Sequence, residues 1–202
     1  MRIASLLRVA AAASLCAPSA IAQVATRPTV DVGDEWRFAV YYTVPTSEPS
    51  RTWRIVSVGA QRIEATENGE PLTLTPELNV LDSPRASESN PRALSFPMEV
   101  GNAWRYRSDW VFKPKKSNGS FDVDVRVVSY EKVRVPAGEF EAFKLVATAA
   151  ISGTSPVNSR YEAESRTTYW YAPSARAIVR SIHHNPYLGT STVELVSLAL
   201  RN

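Results

Sequence analysis

The feature that most constrains this chain is an alternation of apolar and polar residues with a period of two, repeated along most of its length. Between Trp104 and Phe112, residues Trp104, Tyr106, Trp110 and Phe112 fall on one parity, and Arg105, Arg107 and Asp109 fall on the other. Phe121, Val123, Val125 and Val127 alternate in the same way with Asp122, Asp124 and Arg126, and Trp36, Phe38, Val40 and Tyr42 form a third set. Successive side chains of a strand point to opposite faces, so this pattern describes strands with one buried and one wetted side. No long segment repeats at the helical period. The predicted fold class is all-β: an antiparallel meander forming a curved sheet, an incomplete barrel or a small β-barrel.

Further strands are predicted at Arg51 to Val58, Gln61 to Glu67, Phe143 to Ile151, Tyr161 to Tyr171, Ala177 to His184 and Thr190 to Leu200. Turn signals separate them, among them Asn68-Gly69, Ser117-Asn118-Gly119, Pro136-Ala137-Gly138 and Asn185-Pro186. The stretch from Pro71 to Pro97 breaks the rhythm with five prolines and a polar run over Ser83 to Arg92. It reads as a long surface loop with one short strand around Leu78 to Leu81, inside a single domain spanning 23–202. One internal echo stands out: Val32-Gly33-Asp34-Glu35-Trp36-Arg37-Phe38 returns as Val100-Gly101-Asn102-Ala103-Trp104-Arg105-Tyr106. Each copy has a glycine turn launching a strand whose first inward residues are aromatic, which marks two equivalent strand starts.

Residues 1–22 read as a secretory signal peptide. Arg2 and Arg8 frame a cationic segment, Val9 to Ala22 is apolar and alanine-rich, and Ala20-Ile21-Ala22 supplies the small-x-small pattern that precedes cleavage. Cleavage after Ala22 removes Cys16, the only cysteine, so the mature domain makes no disulfide of its own and depends on core packing. Leu15 precedes Cys16 where a lipid-attachment signal has a small residue, which argues for a soluble periplasmic or secreted protein. The formal charge of +3 counts 23 basic and 20 acidic residues; losing Arg2 and Arg8 leaves 21 against 20, a net of +1. The densest cationic cluster, Lys113, Lys115 and Lys116, sits in a turn, and no broad basic stripe points to nucleic acid.

Catalytic motifs are missing. The sequence has no Gly-x-Ser-x-Gly elbow, phosphate-cradling glycine loop or His-Glu-x-x-His helix. His183 and His184 are neighbours on a predicted strand and point to opposite faces, so they do not share a metal; both are expected to be exposed near the strand end. Glu139 with Glu141, and Glu162 with Glu164, stand about 7 Å apart along their strands, a spacing compatible with paired-carboxylate hydrolysis if a cleft holds them. No catalytic residue, metal ligand or cofactor is assigned.

The aromatic residues carry the functional expectation. Trp36, Trp53, Trp104, Tyr106, Trp110 and Trp170 are the candidate ligand-binding residues, because a strongly curved sheet lined by large rings leaves a concave cavity for an apolar or glycan-like ligand; core packing is the expected role of most of these rings. Trp170 shares parity with Glu162, Glu164 and Arg166 and is expected to face solvent.

Val135-Pro136-Ala137-Gly138-Glu139-Phe140-Glu141-Ala142-Phe143-Lys144, the later Tyr169-Trp170-Tyr171-Ala172-Pro173 and the Val100 strand start resemble an uncharacterised family of bacterial exported β-rich domains, some carried by lipoproteins. Over roughly Val100 to Leu200 the resemblance implies a fold similar to the incomplete barrels that carry lipoproteins or other lipophilic cargo, and it transfers no catalytic residue. The expected function is a non-enzymatic envelope or secreted protein that binds an apolar ligand or a protein partner. It is expected not to be an integral membrane protein. A carboxylate-dependent hydrolase and a small outer-membrane barrel are the rival readings, the latter weakened by a chain end, Ala199-Leu200-Arg201-Asn202, without a terminal aromatic residue.

Overall fold

The computed structural model describes residues 23–43, 50–157, 160–186 and 189–201. The expected signal peptide over 1–22, with Cys16, lies outside the described residues. Fourteen strands follow: β1 (Val24–Ala25), β2 (Glu35–Tyr42), β3 (Ser50–Val58), β4 (Ile63–Glu67), β5 (Glu70–Leu74), β6 (Val80–Asp82), β7 (Ala86–Glu88), β8 (Met98–Glu99), β9 (Ala103–Phe112), β10 (Ser117–Val135), β11 (Gly138–Thr154), β12 (Tyr161–Ala172), β13 (Ala177–Asn185) and β14 (Gly189–Ala199). Twelve of them form one closed antiparallel barrel in the order β10-β11-β12-β13-β14-β2-β3-β4-β5-β6-β7-β9, while β1 and β8 pair separately. Of the forms expected, the sheet thus takes the closed one, which leaves no long edge unpaired.

The alternation sets the faces as anticipated. Trp36, Phe38 and Val40 of β2 and Val123, Val125 and Val127 of β10 are buried. The outward parity carries ion pairs instead: Arg105 to Asp124 at 2.8 Å, Arg107 to Asp122 at 2.9 Å and Arg180 to Glu194 at 3.3 Å. A membrane barrel has an apolar band outside and a polar interior. This one has the reverse arrangement, which removes the outer-membrane reading. No helix among the described residues is long and apolar enough to cross a membrane.

The stretch expected as a loop over 71–97 is corrected most. Its start belongs to β5, and β6 and β7 complete the wall between β5 and β9. These strands are three residues long, and β6 meets β7 at the single pair Asp82–Ser87. Lys113, in the turn between β9 and β10, supports this thin seam by donating to Asp82 Oδ1 at 2.7 Å and to the Ser83 carbonyl at 2.6 Å. The remainder, residues 89–97, runs against the barrel and buries Leu94.

The internal echo is a structural repeat. Gly33 and Gly101 have φ of +91° and +96°, values that glycine adopts without strain. Each glycine N–H donates to a carbonyl of a neighbouring strand, Ile55 and Val127 respectively, at 2.9 Å. In return the N–H groups of Ile55 and Val127 donate to the carbonyls of Asp34 and Asn102. A bulge follows each contact, with Val56 and Val128 as the extra residues. The tip of the β10–β11 hairpin docks comparably: the Ala137 N–H donates to the Leu195 carbonyl beside the bulge at Val196. All three extra valines are exposed, as expected for residues pushed out of the ladder.

Candidate functional site

The closed wall places β7 beside an internal cavity. Glu88 pairs with Trp110 of β9, which places its side chain on the inward parity shared by Ser108 and Tyr106. There it borders a cavity of about 280 Å³ inside the barrel, whose wall includes Trp36, Phe38, Trp53, Tyr106 and Tyr169. Pro91, Ala93 and Leu94 cover another side of it. Asn79 holds that cover in place: its Oδ1 accepts from the Leu94 N–H at 2.7 Å and its Nδ2 donates to the Leu94 carbonyl at 3.0 Å. The buried amide side chain thereby acts as a strand-like partner for a segment that has none.

Burial pushes the Glu88 carboxyl up to about 7, partly offset by a hydrogen bond with Ser108. Burial raises Tyr169 to about 12, and Tyr106, facing Tyr169 and Glu88, is held above the ordinary tyrosine range mainly by burial. Among the described residues, no cation forms an ion pair with Glu88. Arg51 borders the same cavity but faces Glu67 at 4.0 Å, and the other Glu67 oxygen accepts from Trp53 Nε1 at 2.9 Å.

This arrangement has a measurable consequence. An unfolded chain releases the Glu88 proton near 4.5, whereas the folded protein keeps it until about 7. The folded state therefore binds more protons between these values, and stability falls as pH rises through that window, by roughly 3 kcal/mol at most. Glu88→Gln should flatten the decline in urea unfolding between pH 5 and 8; parallel pH profiles for the two proteins would contradict the assignment. His183 titrates identically in both, and so cancels from the comparison.

Trp36, Trp53 and Tyr106 thus meet at one cavity, and the other three candidates lie elsewhere. Trp104 is half-buried and donates its indole N–H to the Arg92 carbonyl at 2.7 Å. Trp110 lies over Gly119 and Gly153, stacked on Phe121 at 5.5 Å, and its Nε1 has no hydrogen-bond partner among the described residues. Trp170 does occupy the outward parity, but the expectation that it faces solvent is corrected: it is only 8% exposed. Its Nε1 donates to Glu131 Oε1 at 2.9 Å, and Lys144 and Arg180 lie over its ring at 5.3 and 5.4 Å. The long β10–β11 hairpin brings Glu131 and Lys144 to cover it.

Two other expectations change. His183 is not exposed; it is part-buried with Nδ1 2.8 Å from Thr167 Oγ1, and burial followed by the neighbouring His184 lowers its pKa. Glu139, Glu141, Glu162 and Glu164 are all exposed, and Glu139 and Glu162 engage Lys132, Arg134 and Arg160. No cleft holds these four, which removes the paired-carboxylate reading built on them. Among the described residues no group of three His, Cys, Asp or Glu side chains converges as a metal site. Glu88 was missed because it sits in the polar run from Ser83 to Arg92, where no alternation marks a strand.

No protein-family model and no curated protein matches the chain. Solved structures do. A protein of Parabacteroides distasonis described as a lipoprotein superposes with a TM-score of 0.58 at 14% identity, covering 86% of this chain and 98% of that one. A protein of Bacteroides fragilis, described as exported with a YmcC-like fold, superposes with a TM-score of 0.55 at 16% identity, covering 87% and 99%. At these identities the likeness establishes the shared fold.

Proposed function

We propose that this protein is a non-enzymatic, exported binding protein of the cell envelope that holds a small, largely apolar ligand inside its barrel. The carrying observation is the cavity of about 280 Å³ walled by Trp36, Phe38, Trp53, Tyr106 and Tyr169, with Glu88 as a polar group among the rings. Few polar groups set in an aromatic wall characterise small-molecule sites. The volume corresponds to on the order of ten non-hydrogen atoms, taking water's share of liquid volume as the unit. Export is supported by the apparent signal peptide and by the descriptions of the two structural neighbours.

Native mass spectrometry of the protein purified from its own envelope tests this reading. A stoichiometric small molecule should appear on the polypeptide and depart on denaturation. A bare chain, with tryptophan fluorescence indifferent to added small amphiphiles, would remove the proposal.

A further inference from the structure

We propose that the cavity selects an organic ammonium ion, a compact apolar body whose cationic nitrogen lies against the Glu88 carboxylate among the rings of Trp36, Trp53, Tyr106 and Tyr169. The inference rests on the ligand-binding reading above and adds the chemical class of the ligand.

Three observations carry it. First, Glu88 borders the cavity, and no cation among the described residues forms an ion pair with it. A carboxylate removed from water is costly unless a positive charge or donors replace the solvent, so the place opposite Glu88 favours a cation supplied from outside. Second, five aromatic rings share the wall of so small a space. Ring faces attract cations, and an ammonium held between rings and a carboxylate gains from both. Third, the cation bordering the cavity, Arg51, has Glu67 as its nearest carboxylate at 4.0 Å, and its buried Nε makes no hydrogen bond among the described residues. With Glu88 ionised, the formal charges of Glu67, Glu88 and Arg51 leave an excess of one negative charge. An anionic ligand would add to it and a cationic one neutralises it.

The other titratable groups on the inward parity of the strands around the cavity include Tyr42 on β2, Arg51 on β3, Glu67 on β4, Tyr106 on β9, Tyr161, Tyr169 and Tyr171 on β12 and His183 on β13. Burial keeps Tyr106 and Tyr169 protonated and His183 neutral at pH 7 to 8. Glu88 is the cavity group whose charge changes across neutrality.

Phenylbutylammonium, phenylbutanol and phenylbutanoate share one apolar body and differ in the charge of the head, which makes them suitable probes for isothermal titration of the mature protein. The ammonium should bind at least about tenfold tighter than the alcohol at pH 8, with the carboxylate weakest. Its affinity should rise by about tenfold from pH 6 to pH 8 as Glu88 ionises, and that of the alcohol should not. Glu88→Gln should abolish the pH dependence and reduce the preference to the part that the rings supply. Equal binding of ammonium and alcohol would overturn the cation assignment and leave the cavity a ligand site. Binding by none of the three would overturn both readings. Tightest binding of phenylbutanoate would also overturn the assignment and point to Arg51. The wild-type series decides these outcomes even if the variant fails to fold.

Discussion

Asp34→Ala is expected to lower the stability of the barrel by about 3 kcal/mol, the lower end of the range for breaking a buried ion pair, because Arg176 is partly exposed and can rehydrate. Asp34 is fully buried. Its Oδ1 accepts from the Arg201 N–H at 2.6 Å, and its Oδ2 from the Asp31 N–H at 3.0 Å and from Arg176 Nη1 at 3.1 Å. These contacts join three distant parts of the chain: the start of β2, the turn between β12 and β13, and the segment following β14. Alanine would leave two backbone N–H groups without their acceptor and would leave Arg176 with only its longer contacts to Asp31 and to the Arg201 carbonyl, both at 3.5 Å. Asp34→Asn keeps the size and one acceptor oxygen but loses the charge, so about half the loss is expected. Urea unfolding checks both, with the midpoint falling while the slope is unchanged. A loss below about 1 kcal/mol for alanine would show that Arg176 and the two N–H groups find water instead.

The same residue shows how far the sequence could be read. Val32-Gly33-Asp34 and Val100-Gly101-Asn102 look like copies, and the structure gives them the same turn, backbone bonds and following bulge. The side-chain difference has a local reason. Asn102 Oδ1 accepts from the Glu99 N–H as Asp34 Oδ2 accepts from the Asp31 N–H, but Asp34 also meets the guanidinium of Arg176. That charge comes from a residue 142 positions away and leaves no mark in the local pattern.

Strands with long alternation were legible because each inward residue repeats the same instruction to the chain. β6 and β7 were not, because three residues hold barely one period and their pairing is decided by barrel closure. Glu88 was illegible for the same reason, since only its register against Trp110 separates it from the polar residues on either side. Trp170 shows the opposite failure. Its parity was read correctly, and its burial depends on Glu131 and Lys144 from the long hairpin, a tertiary fact absent from the local pattern.

Gly119→Ala is expected to cost about 3 kcal/mol or more, the upper end of the range for forced overpacking. Gly119 faces Gly153 across the β10–β11 ladder, and the Trp110 ring covers both. A methyl group at Gly119 would overlap the backbone carbonyl of Ser152, so the ladder itself would have to open. At Gly153 the nearest obstacle is Trp110 at 2.8 Å, followed by the Asn118 carbonyl and Tyr161 at 2.9 Å. Two of those three contacts are side chains, which makes Gly153→Ala partly relievable. Combining each alanine with Trp110→Leu separates the cases. The second substitution should recover a measurable part of the Gly153→Ala loss and almost none of the Gly119→Ala loss, because removing a ring does not move a backbone carbonyl. Gly69→Ala provides the reference: its φ is +90° but nothing lies within 4 Å of the added carbon, so it should show only the backbone penalty of about 1 kcal/mol. Equal losses at Gly69 and Gly119 would mean that the glycine pair is a matter of conformation. The larger loss at Gly119 identifies it as a matter of space, in which two missing side chains let two strands and a tryptophan close the barrel wall beside Glu88.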